Sequence, residues 1–262
     1  THCRSSAASD GYKRQMHLVE VTEEIWRRLL MVREGKSCLC CGDFSEGQQA
    51  ALALYGPLSR RDVGPLITGQ IGQSLDGRIA TTNGDVGKVS GPDGILHLHR
   101  MRALVDAVLI GVKTALHDSP QLTVRHCEGP NPARVVIDIR GRLPNDSPVL
   151  TDDGSRRIII QTDNTARTAG IEVIRLPATN GAIAPSAITE ALRSEGLSSL
   201  LVEGGSFTIG KFIEAGLLDL LHLALAPVLI GNGPAGLNLS QPDAQLEMAI
   251  RPETRAFTLG SE

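Results

Sequence analysis

Seven residues able to do chemistry fall within fifteen positions of the stretch LIGVKTALHDSPQLTVR, residues 109–125: Gly111, Lys113, Thr114, His117, Asp118, Ser119 and Arg125. They follow an apolar run, so they sit just past the end of a buried strand, which is where an open α/β sheet binds its ligands. Thr114 caps the turn after Gly111. HDSP reads as a turn in which Pro120 forces Ser119 into an extended conformation. Arg125 leaves that turn, and Arg102 lies in the preceding helix with His99 on the same face. Two guanidinium groups near one strand edge can fork a phosphate, although an arginine alone more commonly makes a surface salt bridge.

A second strand end, LLVEGGSFTIGKF at 200–212, carries Glu203, Gly204, Gly205 and Ser206 before a helix. The two glycines let the backbone approach a ligand, and the helix start offers free N–H groups to a phosphate. No GxGxxG occurs, so the ordinary dinucleotide fingerprint is missing. The run KSCLCC (36–41) brings three soft thiolate ligands together. A closed zinc site wants four ligands in two spaced pairs, and no second CxxC or histidine pair follows, so the expectation is ordinary thiols and no metal.

The elements that must position these residues alternate from Pro65 onward. Strands are expected at 66–72, 106–112, 133–139, 156–162, 170–176 and 199–203, with a long strand in LDLLHLALAPVLI. Helices are expected at 92–105, 185–196 and 207–216. Apolar runs of this kind between helices mean strands covered on both faces, hence a largely parallel α/β sheet flanked by helices. Residues 1–64 read differently, as an extension: a helix in VTEEIWRRLLMVREG with Thr22 as N-cap and Gly35 as stop, then a connecting arm with one short helix. The expected division is therefore 1–64 and 65–262.

Composition narrows the function. With 41% hydrophobic but only 3% aromatic residues, the core is built from Leu, Ile, Val and Ala, and base-stacking platforms are excluded. A net charge of −3 gives no general attraction for nucleic acid or an anionic membrane. The longest nearly apolar run, 216–231, is broken by Asp219, His222 and Pro227 and is too short to span a bilayer. The polar N-terminus and the odd count of five cysteines suggest a reduced, cytoplasmic protein.

GQIGQSLDGRIAT (69–81), LHLHRMRALVDAVLIGVKTALHDSPQLTVR (96–125), PARVVID (132–138) and the segment 200–231 follow in the order and spacing of the reductase domain of the riboflavin-biosynthesis deaminase-reductases. This resemblance covers roughly 65–262. The deaminase half has no counterpart, since no H-x-E followed by P-C-x-x-C occurs.

The resemblance implies a dihydrofolate-reductase-like fold, an NADPH cofactor, a phosphorylated small-molecule substrate and a homodimer. In the family, hydride passes to C1′ of a ribosylaminopyrimidine 5′-phosphate and the ribose opens to a ribityl chain. On this chain the resemblance assigns Thr81, Ser90, Gly111, Thr114, Gly204, Gly205 and Ser206 to the cofactor. Lys113, where the family has Gly or Ala, reaches either a cofactor phosphate or solvent. Glu203 lies on the active-site floor. Arg102, Leu122 and Arg125 match substrate positions, while Val86 replaces a serine and Lys88 an aromatic residue. Gln70 stands where many members have a lysine, and Ser119 replaces the acid nearest the reacting sugar. Two functions stay open: a reductase with an altered pocket, acting on the riboflavin precursor or another pyrimidine or pterin, or a nucleotide-binding homologue without catalysis that serves as a sensor or partner subunit.

Overall fold

The computed structural model describes residues 16–84, 89–162, 164–240 and 245–260. The chain divides into two compact units, one holding the described residues up to Asp62 together with those after Ser240, the other Val63–Ser240.

The first unit opens with strand β1 (Met16–Leu18) and helices α1 (Glu23–Arg33) and α2 (Glu46–Ser59). Thr22 caps α1 by accepting from the Ile25 N–H, and Gly35 follows the helix at φ 71°. Ser45 and Gln48 form a capping box at the start of α2. This helix is 14 residues long rather than short, because Pro57 falls near its end and does not cut the apolar face formed by Ala51, Leu54, Tyr55 and Leu58.

The second unit runs β2 (Leu66–Ser74), α3 (Pro92–Leu104), β3 (Ala107–Gly111), α4 (Val112–Asp118), β4 (Ala133–Ile137), β5 (Arg157–Gln161), β6 (Glu172–Arg175), α5 (Pro185–Ser194), β7 (Ser199–Glu203), α6 (Ser206–Glu214) and β8 (Leu220–Ala226). Its seven strands form one sheet in the order β6-β5-β4-β3-β7-β2-β8, and every pairing is parallel. Ile67, Leu109, Val135, Ile158, Ile160 and Val202 pack on one face against Ile188 and Leu192 of α5 and Ile209 and Phe212 of α6. The last strand, β9 (Ala256–Thr258), pairs with β1 in the first unit. The C-terminal residues expected within the sheet domain are thus grouped with the N-terminal segment. β8 is also shorter than expected, because Pro227 cannot continue the ladder.

Candidate active site

The chain leaves β3 outward through β4, β5 and β6, then returns to place β7 between β3 and β2 before moving to the opposite edge. That reversal opens a crevice at the carboxyl ends of β3 and β7, the position where open α/β sheets receive ligands. Each strand there runs directly into a helix: Gly111 precedes α4 and Gly205 precedes α6, and neither helix start is closed by a side-chain cap. Gly204 and Gly205 are left-handed, at φ 56° and 66°. A Cβ on Gly205 would lie 3.0 Å from Thr114 Oγ1, one on Gly204 would lie 3.5 Å from the Thr114 methyl, and one on Gly111 would lie 2.8 Å from Thr208 Oγ1. Gly111, Gly204, Gly205, Thr114 and Thr208 therefore bound one small cradle of backbone and hydroxyl groups, fit for a phosphate or pyrophosphate. Ser206 is the first residue of α6 and borders it. Thr208, not singled out from the sequence, had one signal: it is the third residue of the helix that follows the glycine pair.

Beneath the cradle, Glu203, Gln70 and His222 are register partners on β7, β2 and β8, so their side chains share one face of the sheet. Helix α3 covers this row. Arg102 donates from Nε to Glu203 Oε1 and from Nη2 to Oε2, both at 2.7 Å, and from Nη1 to the Thr123 carbonyl at 3.2 Å. Both side chains are 7% exposed. Burial works against the Arg102 charge, but Glu203's charge and hydrogen bonds prevail and hold the guanidinium above its ordinary value. At the other end His97 stacks on His222, with ring centroids 5.4 Å apart and Nδ1 of His222 3.4 Å from Nε2 of His97. Burial, helped by His222 and Arg100, pushes His97 down to about 3, and burial pushes His222 down to about 4. Both rings are neutral at neutral pH. The histidine pair was invisible in the sequence, since 125 residues separate its members.

These contacts revise the expected fork. Arg102 spends its Nε/Nη2 edge on Glu203 and does not join Arg125 in a two-arginine clamp. Glu203, with both carboxylate oxygens engaged by Arg102, shapes the floor. Arg125 is exposed, its side chain donates to Thr123 Oγ1, and its backbone N–H donates to His99 Nδ1 at 3.0 Å. His99 is therefore an acceptor at Nδ1, held at about 4 chiefly by burial.

The expected turn is instead the short helix α4, running to Asp118, whose carboxylate shares a 2.6 Å hydrogen bond with His117 Nδ1. Ser119 ends it exposed and left-handed (φ 43°, ψ 49°), not extended. Pro120 disfavours the right-handed α region before it, and the left-handed conformation satisfies that restriction while still closing the helix. Leu122 is also left-handed, at φ 56°, and only 2% exposed, so it is a core residue under the loop. Two of the three non-glycine residues with positive φ among those described thus fall within four positions, and such strain concentrates at functional loops. Lys113 is exposed on α4. Ser90 leans on β2, where a Cβ on Gly72 would meet its hydroxyl at 2.8 Å. The Thr81 carbonyl accepts from the Gly84 N–H at 3.0 Å in the loop after β2. Val86 and Lys88 lie outside the described residues.

Residues 65–252 match the model of the RibD C-terminal domain. The 2,5-diamino-6-ribosylamino-4(3H)-pyrimidinone 5′-phosphate reductase of Methanothermobacter thermautotrophicus is 31% identical over 209 residues, covering 76% of this chain and 95% of that protein. The crystal structure of the diaminohydroxyphosphoribosylaminopyrimidine deaminase/5-amino-6-(5-phosphoribosylamino)uracil reductase of Thermotoga maritima superposes with TM-score 0.63 at 25% identity. It is matched over 79% of this chain and 56% of its own length, so the chain spans about half of that bifunctional protein. The riboflavin biosynthesis reductase Rib7 of Saccharomyces cerevisiae shares the fold, with TM-score 0.58 at 20% identity over 70% of this chain and 82% of that one.

Proposed function

The chain belongs to the RibD C-terminal domain family, and from that premise we propose that it is an NADPH-dependent reductase of 2,5-diamino-6-ribosylamino-4(3H)-pyrimidinone 5′-phosphate. The observation that carries the reading is the coincidence of the family match with the glycine-lined cradle at the β3/β7 crevice. Its geometry fits a dinucleotide: a Cβ at Gly111, Gly204 or Gly205 would occupy the space the cradle leaves. Gly111, Thr114, Gly204, Gly205, Ser206 and Thr208 would hold the phosphates, with Thr81 and Ser90 toward the nicotinamide. The cofactor supplies the hydride.

The protein's own residues bind, orient and manage the proton. The Arg102–Glu203 pair and Gln70 form a rigid, internally neutralised floor that holds the sugar against the cofactor, and orientation is the larger share of what hydride transfer requires. Reduction at C1′ with opening of the C1′–O bond would leave the ring oxygen needing a proton. His97 and His222 are neutral and buried, so the proton comes from the solvent side, where Ser119 is exposed and orders water. Arg125, exposed with its side chain donating to Thr123 Oγ1, takes the substrate phosphate. The protein assembles as a homodimer through β8, an edge strand that leaves Leu223 43% and Leu225 57% exposed. Sedimentation at micromolar concentration reads that assembly.

The deciding experiment is NADPH oxidation with the diaminopyrimidinone phosphate, the corresponding aminouracil phosphate and dihydrofolate side by side. Turnover fastest with the first supports the reading. Turnover with dihydrofolate alone overturns the substrate, and cofactor binding without turnover of any of the three overturns the activity.

A further inference from the structure

Three thiols that the proposed reaction does not use converge in the first unit. Cys38, Cys40 and Cys41 bring their Sγ atoms within 4.8 Å of one another, and those of Cys40 and Cys41 are 3.8 Å apart. A tetrahedral ion with metal–sulfur bonds of about 2.3 Å needs sulfur atoms about 3.8 Å apart. The trio thus stands within roughly 1 Å of a ligand geometry, with no backbone rearrangement demanded. None of the three is in a disulfide.

The loop that carries them is held at several points. Arg28 Nη1 donates to the Cys38 carbonyl at 3.2 Å and to the Cys41 carbonyl at 2.7 Å. Its guanidinium lies over the Phe44 ring, 5.0 Å from the centroid. Leu39, between the first two cysteines, packs on α2 so closely that a Cβ on Gly56 would meet its Cδ1 at 2.8 Å. A guanidinium bound to two carbonyls of the loop fixes the backbone that carries the thiols. Cys40 and Cys41 are exposed and Cys38 is half-buried, so an ion has an open path in.

We infer that Cys38, Cys40 and Cys41 form a three-thiolate site for a thiophilic metal ion of the Zn²⁺/Cd²⁺ class, its fourth position open to solvent. The four protein ligands in two spaced pairs that a closed zinc site wants are missing here. That requirement belongs to closed structural sites, and a three-ligand site with an open position is the other arrangement zinc adopts. An ion so held is exchangeable and ties the turn between α1 and α2 together.

The test uses the full chain, reduced with a phosphine and freed of metal by a chelator, then titrated with Cd²⁺ while the ultraviolet sulfur-to-metal charge-transfer band is followed. One equivalent should raise the band. Cys38→Ser, Cys40→Ser and Cys41→Ser should each weaken binding at least tenfold, and Cys127→Ser, in the second unit, should leave it unchanged. Far-UV circular dichroism confirms that each variant is folded, as substitution at a solvent-facing loop should allow. No band with the unaltered chain, a band surviving in the triple variant, or binding that needs only two of the three thiols overturns the inference. So does loss of two thiols to a disulfide in air with no band in the reduced protein.

Discussion

Removing Arg102 should destabilise the sheet unit far more than removing an arginine from any exposed pair. Glu203 would be left buried with two acceptor oxygens that now each meet an Arg102 nitrogen at 2.7 Å. Breaking one side of such a pair costs about 3–5 kcal/mol, because the surviving charge is uncompensated away from water. The Arg27–Glu23 pair, 64% and 84% exposed, supplies the contrast within the same chain. There water screens the charges, and Arg27→Ala should cost no more than about 0.5 kcal/mol. Arg102→Leu combined with Glu203→Leu should recover most of the single-variant loss, since apolar replacement of both partners removes the stranded charge. The assay is urea unfolding followed by far-UV circular dichroism. Fluorescence would mislead, because the single tryptophan, Trp26, lies in the other unit. A loss below about 1 kcal/mol for Arg102→Ala, or strictly additive losses in the double variant, would refute the buried pair.

Acid should weaken the fold through the histidines. His97 and His222 are held at about 3 and 4 against an ordinary 6.5, so the unfolded chain takes up protons first. That stability is present above the ordinary 6.5 and falls as pH drops toward about 4 for His222 and about 3 for His97, by ~2 kcal/mol per ring at about pH 5. His99, held at about 4, acts in the same sense. Replacing both His97 and His222 by Gln should flatten that fall, and an unchanged slope would be evidence against it. Gly205→Val should weaken NADPH binding by tenfold or more in a fluorescence titration, since φ 66° strains any side chain and the Cβ meets Thr114; equal affinity removes the cradle from the cofactor site. Arg125→Ala should raise KM for the phosphorylated substrate far more than for its dephosphorylated form, and an equal rise for both would make Arg125 structural. Ser119→Asp should raise kcat about tenfold, roughly 1.4 kcal/mol of transition-state stabilisation. Aspartate also tolerates the left-handed backbone there, so a fall in kcat would show that Ser119 is already suited to its own substrate.

The strands were legible because five-residue apolar runs leave few alternatives, and the crevice followed from glycines placed just past two of them. Pairings over long sequence separation were not legible. Nothing local in HLHRMR shows that Arg102 meets a carboxylate 101 residues away, and an arginine near a strand end reads equally well as a phosphate ligand. Pro120 excludes only the right-handed region at Ser119, and the chain takes the left-handed conformation instead of the expected extended one. β9 is three residues long, too short to leave a period in the sequence.

The same pairing explains the exchange at position 70. Across the row, Arg102 and Glu203 cancel, and His222 and His97 are neutral, so Gln70 sits in a strip with no net charge and no carboxylate to spare. A lysine there, the residue the family resemblance implies, would bring a buried ammonium between a satisfied ion pair and two imidazoles that resist protonation. It could be accommodated only by drawing Glu203 away from Arg102, or by losing its own proton. Gln70→Lys should therefore destabilise the sheet unit by about 1–3 kcal/mol and lower activity on its own, whereas Gln70→Lys with Arg102→Leu should recover stability, because the lysine then inherits Glu203. If Gln70→Lys alone is as stable as the unaltered chain and more active, the neutral row is not what holds the floor, and the glutamine is simply a weaker substitute for lysine.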